Sequence, residues 1–161
     1  MIAVRRASPD DASAISRLVW LSWSQRFSGN MPQEVRAQAD PENAEPQWRR
    51  DLADPPSLNH VCLVATDDDD SVAGVAVLAP DEQHGFAIGL LEVAPGHRGQ
   101  GHGSRLMNAC VDAAREWGTS TLYAWIWPDD AAFWEAAGWA PRFRTADSGP
   151  DVWWTEISPQ E

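Results

Sequence analysis

The stretch LLEVAPGHRGQGHGSRLMNACVDAAREWG, residues 90–118, joins a short apolar run to a glycine-rich turn and then to an amphipathic helix. The apolar residues before Pro95 predict the end of a buried strand, because proline has no N–H to give to a ladder. From about Ser104 the apolar positions recur at helical spacing, and Gly118 is placed to end the helix. This part of the chain therefore predicts a strand, a loop and a helix in immediate succession.

The loop has glycines at the alternate positions Gly99, Gly101 and Gly103. Without Cβ atoms, a ligand can approach the backbone, and consecutive N–H groups stay free to point outward. The helix N-terminus adds about half a positive charge and unpaired N–H groups, and Arg98 adds a cation. We therefore predict a cradle for a diphosphate. The plainer alternatives are an ordinary glycine-rich turn and a solvated Arg98.

Two common nucleotide-binding motifs do not fit this loop. The dinucleotide fingerprint would need a third glycine at the position of Ser104, and no Lys followed by Ser or Thr completes a P-loop. Arg98, Gly101 and Gly103 instead resemble the Arg/Gln-x-x-Gly-x-Gly/Ala signature of the GNAT superfamily of N-acetyltransferases. Downstream, FWEAAGW at 133–139 resembles that family's Phe-Tyr-Glu-x-x-Gly-Phe pattern, in which a helix runs into a strand. The two similarities occur in the family's order.

The remaining patterns predict a single domain over residues 1–161 of class α/β, with elements in the order β-α-α-β-β-β-α-β-α-β-β. This order resembles the GNAT fold, which implies a mixed sheet, splayed at its centre, with helices on both faces. Residues 31–56 are the least regular part and predict a second helix interrupted near Asp40-Pro41. Turns are expected over residues 80–85 and 147–150.

The charge composition is one-sided, since 12 Arg and no Lys oppose 24 Asp and Glu for a net charge of −12. Such a chain repels nucleic acid and would steer a cationic acceptor toward itself, unless the acidity serves only solubility. The Asp run at 67–70 predicts a solvated turn, because consecutive Asp residues do not supply the spaced ligands of a metal loop. No apolar run approaches the ~18 residues of a membrane span, and the N-terminus lacks the apolar core of a signal peptide. We therefore expect a cytoplasmic protein without a membrane partner.

The aromatic and sulfur residues are expected mostly in the core. The chain has ten tryptophans, with one or two of them available to wall an acceptor pocket and to hold a cation over a ring face. Cys62 and Cys110 lie in predicted core positions and are expected to be reduced thiols. A homodimer is left open.

The resemblance implies acetyl-CoA as co-substrate, and no metal. By the family pattern, the pantetheine would lie along the strand that precedes the loop and the pyrophosphate on the loop N–H groups. The cofactor-binding residues expected on this basis are Leu91, Glu92, Val93, Arg98, Gly99, Gln100, Gly101, His102, Gly103 and Ser104. His97 and His102 flank the loop, but their spacing does not put them on one helical face, so we do not interpret them as metal ligands.

Direct transfer of an acetyl group to an amine needs a neutral amine, a polarised thioester carbonyl and an acid for the leaving thiolate. The resemblance implies that a backbone N–H near Val93 polarises the carbonyl. Glu92 is the carboxylate in the strand beside the expected thioester, and partial burial would raise its pKa to suit a general base. Strand alternation leaves open whether Glu92 points into the acceptor cleft or out of the sheet.

The acid is where the chain departs from the family. Trp134 replaces the second aromatic of the family's Phe-Tyr pair, and an indole N–H is no practical proton source. Tyr123 is the one tyrosine of the chain and the phenol that could substitute, unless it serves only the sheet. The family's asparagine before this helix is also absent, with Asp129 as an approximate stand-in.

Two classes of function therefore remain. The first is an N-acetyltransferase that acts on a primary amine of a small, cationic acceptor in a ternary complex, with polyamines and amino sugars as examples. The second is an acyl-CoA-binding sensor or interaction module that has lost turnover, which the missing tyrosine keeps open. The first is favoured, because the thiol of CoA is acidic enough to leave without an obligatory proton donor.

Overall fold

The computed structural model describes residues 3–145 and 149–158 of the chain. Within these ranges, the strands are β1 Ala3–Arg6, β2 Val61–Thr66, β3 Val72–Asp81, β4 Gly85–Val93, β5 Thr121–Ile126, β6 Ala140–Phe143 and β7 Asp151–Glu156. The α-helices are α1 Ala12–Arg26, α2 Gln33–Ala39, α3 Pro41–Ala53, α4 His102–Glu116 and α5 Ala131–Ala136. One-turn 3-10 helices lie over Pro9–Asp11, Pro95–His97 and Pro128–Asp130.

The strands form one seven-stranded mixed sheet in the order β1-β2-β3-β4-β5-β7-β6, which confirms the predicted fold class. Neighbouring strands are antiparallel except β4 and β5, which are parallel. These two strands pair only at Ala87 with Tyr123 and at Ile88 with Ala124. Beyond those pairs the two strands separate, so the carboxyl-terminal half of β4 pairs with β3 on one edge and faces a cleft on the other.

A β-bulge at Gly89 decides which face of the sheet each residue of β4 reaches. Leu78 of β3 pairs with Ile88, and the preceding Val77 pairs with Leu90, so Gly89 is the extra residue. A bulge shifts strand alternation by one position. Ile88 therefore packs on the α4 side, whereas Leu90 and Glu92 face α1.

Each face of the sheet has its own apolar core, so the expected placement of helices on both faces is confirmed. The face toward α4 buries Leu106 and Cys110 of that helix against strand residues such as Leu78. The opposite face buries Ile15 and Val19 of α1. A fully buried side chain of this size stabilises the fold by about 1.5–3 kcal/mol.

Several boundaries differ from the predicted ones. The interrupted second helix is two helices, α2 and α3, which separate at Asp40 as expected. Strand β3 continues through Pro80, which shortens the turn predicted over 80–85; β2 ends its pairing at Leu78, so Pro80 needs a ladder partner on one side only. Residues 147 and 148 of the turn predicted over 147–150 lie outside the described residues.

The entry to α1 is held by Asp11, which is 8% exposed. Arg5 donates to both of its oxygens, at 2.8 and 2.9 Å, and the Ser8 N–H donates at 2.8 Å. The hydrogen bonds from Arg5 outweigh the effect of burial and lower the pKa of Asp11 below its ordinary value. The carboxylate thus links β1 to the start of α1.

We expect Asp11→Asn to lower the free energy of unfolding by about 1–2 kcal/mol at pH 7, because charge-assisted hydrogen bonds to a half-exposed Arg5 are lost. Since the folded pKa lies below the unfolded value of about 3.9, this stabilisation is present above that pH and is lost as the pH falls through the folded pKa. Urea unfolding at neutral pH and at roughly pH 3 measures both free energies. The exposed neighbour substitution Asp10→Asn is the control. A gap between wild type and variant that does not narrow in acid would contradict the assignment.

Candidate functional site

The splay between β4 and β5 opens a cleft of about 380 Å³ at the N-terminal end of α4. All the predicted cofactor-binding residues except Gln100 line it, namely Leu91, Glu92, Val93, Arg98, Gly99, Gly101, His102, Gly103 and Ser104. The cleft is completed by Arg26, His97, Asp130, Phe133 and Trp134. Residues that are separated along the chain thus surround the glycine loop.

The glycines of the loop have two structural roles. Gly99 and Gly101 have φ angles of +78° and +86°, in the left-handed region that favours glycine. Gly103 is helical, and a Cβ there would lie 3.3 Å from the Phe133 ring and 3.7 Å from Val93. Gly101 is the N-cap of α4 and has no side chain to cap the first N–H groups, which stay available to an anion.

A second cation braces the loop. The Arg105 guanidinium donates from Nη1 to the carbonyl of Gln100 at 3.1 Å. The same Nη1 lies 2.9 Å from the position that a Cβ on Gly101 would take. The sequence pattern gives no indication of this contact. Gln100 accepts this hydrogen bond through its backbone carbonyl and does not line the cleft.

Glu92 lies between β4 and α1 with 2% of its surface exposed. Ser22 Oγ donates to its Oε2 at 2.6 Å and Trp23 Nε1 donates to its Oε1 at 3.0 Å. Arg26 Nη2 donates to both oxygens, at 3.1 and 3.0 Å. A carboxylate offers about four acceptor positions, so these contacts occupy Glu92 fully.

Arg26 forms ion pairs with three carboxylates. Its side chain is 6% exposed, and besides Glu92 it donates to Asp129 at 3.0 Å and to Asp130 at 3.1 Å. Burial by itself would lower the pKa of Arg26, but Glu92 and Asp130 more than offset it and raise the pKa above its ordinary value. Arg98 joins the group by donating to Ser22 Oγ at 3.1 Å. Three carboxylates against two guanidinium groups leave one surplus negative charge beside the cleft.

A second cavity of about 230 Å³ lies on the other side of this group. It shares Leu91, Glu92, Asp130 and Trp134 with the first cleft. Asp130 has 35% of its side chain exposed, whereas Glu92 is closed off. The two cavities therefore meet at Asp130, which is the accessible carboxylate of the pair.

The structure does not bring Tyr123 to this meeting point. Tyr123 pairs with Ala87, near the start of β4, which puts it roughly 15 Å along the strand from Glu92. Its ring lies against His84, with 5.3 Å between the ring centroids, and it is not among the described residues that line either cavity. Trp134, at the position of the family tyrosine, does line both cavities and is 3% exposed.

The histidines flanking the loop are placed differently from each other. His97 Nε2 lies 2.9 Å from Asp67 Oδ2, so the acidic run at 67–70 is not wholly solvated as expected. His102 is 1% exposed, and burial, with Arg105 and His97 nearby, lowers its pKa. Among the described residues, no three His, Cys, Asp or Glu side chains are grouped so that they could hold a metal ion. No helix in the described part of the chain is long and apolar enough to cross a membrane.

Sequence reasoning missed Ser22, Arg26 and Asp130. A signal for the first two was present: the buried stripe of α1 runs through Ile15 and Val19, and the next positions on that face are Ser22 and Arg26. Polar residues that continue an apolar stripe need buried partners. Asp130 carried no such signal, because its position depends on how the 3-10 turn before α5 lies against α1.

A splayed mixed sheet with a glycine loop at a helix N-terminus defines a class of acyl-CoA-dependent transferases. The sequence profile described as the Acetyltransferase (GNAT) family matches residues 15–139. The chain belongs to this family, and membership implies acyl transfer from an acyl-CoA to an acceptor. Comparison with curated protein sequences gave no match.

Solved structures of similar fold are numerous, and three illustrate them. An N-acetyltransferase of Thermoplasma acidophilum in complex with coenzyme A has a TM-score of 0.77 at 16% identity, covering 98% of this chain and 99% of that one. A GCN5-related N-acetyltransferase of Rhodopseudomonas palustris has a TM-score of 0.78 at 22% identity, covering 96% and 95%. An alanine N-acetyltransferase for a ribosomal protein of Escherichia coli has a TM-score of 0.67 at 16% identity, covering 100% and 97%. At these identities the likeness is one of fold.

We expect Glu92→Gln to destabilise the protein, because it removes the charge that pairs with buried Arg26 and turns an amide NH2 toward existing donors. Breaking such a pair costs roughly 3 kcal/mol, which corresponds to a melting temperature about 6–12 °C lower. Scanning calorimetry measures the change. Glu135→Gln, at an exposed position of α5, is the control and should change little. A melting temperature within about 1 °C of wild type would show that the pair does not stabilise the fold.

Proposed function

We propose that the protein transfers acetyl from acetyl-CoA to the primary amine of a small, cationic acceptor, by direct attack in a ternary complex. The observation that carries this proposal is the meeting of two cavities at Asp130. One cavity has the glycine loop and the uncapped start of α4, and the other lies beside a surplus negative charge. A donor and an acceptor can occupy the two sides at once.

The first cleft fits the donor. Backbone N–H groups from Gly99 to Ser104 would hold the pyrophosphate, with Arg98 as the nearby cation. When bound, acetyl-CoA supplies the thioester whose carbonyl is attacked. Beyond Ile88, β4 has no strand on its β5 side, so backbone N–H groups near Val93 are available to polarise that carbonyl.

Asp130 is the residue we assign to the acceptor. Arg26 holds its Oδ2, and its partly exposed carboxylate faces both cavities, where it can attract an ammonium group. The ammonium group loses one proton by way of Asp130 and water, the nitrogen lone pair attacks the carbonyl carbon, and the C–S bond breaks with its electrons on sulfur. The nitrogen then loses a second proton by the same path, which leaves a neutral amide. A thiol has a pKa of about 8.5, so the thiolate can leave and take its proton from solvent. No tyrosine is needed for this step.

Glu92 is assigned to holding Arg26, and through it Asp130, in place. The role of direct base stays a prediction, and a base at Glu92 would have to give up one of the hydrogen bonds that Ser22, Trp23 and Arg26 make to it. The role of Tyr123 as a proton source likewise stays a prediction. The proposed reaction does not use it.

The coenzyme prediction is tested at Gly103, because Gly101 has a left-handed φ and its replacement would strain the loop itself. Gly103→Val puts a side chain into the space before Phe133 and Val93, and it should weaken acetyl-CoA binding by roughly tenfold or more. Isothermal calorimetry measures the affinity. Gly96→Val, where a Cβ meets nothing within 4 Å, is the matched control and should bind normally. If the two variants bound acetyl-CoA with equal affinity, the glycine loop would not be the pyrophosphate site.

The reaction is tested by release of CoA thiol over a panel of primary amines, each compared with a blank that lacks amine. Asp130→Asn should lower kcat/KM for amines that are cationic at pH 7 by roughly tenfold or more, whereas exposed Asp112→Asn should not. For wild type, kcat/KM of a cationic amine should fall as salt rises, and that of an alkoxyamine, neutral at pH 7, should stay nearly flat.

The second candidate function is an acyl-CoA-binding sensor, which Trp134 in place of the family tyrosine favours. Tight acetyl-CoA binding without acceptor-dependent thiol release would support it. Release that depends on the amine supports the transferase, and parallel salt responses of the two amines would exclude steering by charge.

A further inference from the structure

The second cavity, named here the acceptor pocket, has walls made mainly of aromatic and aliphatic side chains. Four tryptophans line it, Trp23, Trp125, Trp127 and Trp134. The other described apolar residues are Val35, Leu90, Leu91, Ile126 and Pro150. Such a lining binds planar apolar groups and gives hydrogen-bonding ligands few partners.

The polar ends of two of these indoles are already occupied. Trp23 Nε1 donates to Glu92, and Trp125 Nε1 donates to Asp81 at 2.9 Å. Neither ring therefore needs a hydrogen-bond acceptor from the ligand. What these residues present to the pocket is ring surface.

The ring of Trp127 is also occupied, by a cation that belongs to the protein. The Arg26 guanidinium lies 5.3 Å from the Trp127 ring centroid, and Trp23 and Phe27 contact the same ring edge to face. A second positive charge on an acceptor would meet Arg26 there. The cation over the Trp127 ring is thus Arg26 of the protein itself, and a tryptophan that holds a substrate cation stays a prediction.

The charged side chains among the described lining residues of the acceptor pocket lie together at one end of it. Among its described lining residues, the carboxylates are Glu92 and Asp130, both where the pocket meets the coenzyme cleft, and Glu92 has its acceptor positions filled. The remaining polar side chain of the lining is Gln38. One ammonium group can be matched, and its place is beside Asp130.

On the basis of the proposed function, we propose that the acceptor is an arylalkylamine, a single primary amine on a short arm attached to a planar apolar ring. The ring lies among the tryptophans and the amine lies at Asp130. A cavity of about 230 Å³ equals the volume of roughly eight liquid water molecules, which suits one ring and a two-carbon arm.

The reaction balances with this acceptor. The amine nitrogen forms a bond to the acetyl carbon and the C–S bond breaks. The ammonium group loses two protons by way of Asp130 and solvent, and the thiolate takes one from solvent, so one proton is released overall. The product is a neutral amide, which has lost the charge that Asp130 attracted. Loss of that attraction favours release of the product.

The test compares three primary amines by thiol release: 2-phenylethylamine, butylamine, which lacks the ring, and 1,4-diaminobutane, which replaces the ring by a second charge. We expect kcat/KM for 2-phenylethylamine to exceed both others by roughly tenfold or more, because burial of the ring is gained only there. Butylamine or the diamine turning over as well as the aryl amine would overturn the inference and leave the proposed transferase standing. A peptide beginning with alanine as the best acceptor would do the same.

Gly89, the bulge residue of β4, supplies a variant that narrows the pocket, and its acetyl-CoA affinity reports whether the strand is kept. It lines the acceptor pocket, its φ is ordinary, and a Cβ there meets nothing within 4 Å. Gly89→Val should raise KM for 2-phenylethylamine at least roughly tenfold and leave acetyl-CoA affinity unchanged. Gly96→Val is again the control, and an unchanged KM in the Gly89 variant would place the ring elsewhere.

A failure of the proposed function is distinguishable from a failure of this inference. If no amine releases thiol, calorimetry of 2-phenylethylamine with the CoA-loaded protein still tests the pocket. Binding that Gly89→Val weakens supports an arylalkylamine site on a protein without turnover. Absence of binding to wild type overturns the site.

Discussion

The buried ion pair between Arg26 and Glu92 is the interaction on which the rest of this structure depends. Removing two charges from water is costly, and Ser22 and Trp23 offset part of that cost by donating to Glu92, while Asp130 accepts from Arg26. The buried Arg26 Nε has no hydrogen-bond partner among the described residues. Together with Asp130, the ion pair connects α1, β4 and the 3-10 turn before α5, and the described residues of these elements share no backbone hydrogen bond. The residues between the two cavities therefore also hold these elements together. A substitution of Arg26 or Glu92 changes the stability of the fold as well as the chemistry of the site.

The cleft exists because the sheet is left incomplete at its centre. Two residue pairs join β4 to β5, and the rest of each facing edge is open to whatever the cleft holds. The bulge at Gly89 supports this arrangement, since it turns Glu92 toward α1 while Leu91 stays on the α4 side. Unpaired strand edges would be a liability on the surface, but here helix α4 and the aromatic residues of α5 shelter them. The unpaired strand edges and the bulge at Gly89 therefore shape both the fold and the site.

The structure shows where the many acidic residues and tryptophans of the chain lie. Part of the acidity is concentrated around Arg26, where carboxylates outnumber guanidinium groups, and only part lies on remote turns such as 67–70. The tryptophans divide similarly: Trp139 and Trp153 are core residues, whereas Trp23 and Trp127 separate core from pocket. Charge and aromatic surface therefore meet where α1 contacts β4.

Features that depend on near neighbours could be predicted from the chain: the glycine loop, the helix that follows it, the order of elements and the family. Backbone angles, caps and apolar periodicity act over a few residues and can be read directly from the chain. Tertiary structure alone decided that Arg26 meets Glu92, 66 residues away, and Asp130, 104 residues away. It also decided that Tyr123 lies far from the cleft, because a parallel register between β4 and β5 has no local code. Contacts of this kind depend on how whole elements pack, so no local sequence pattern links the residues that make them.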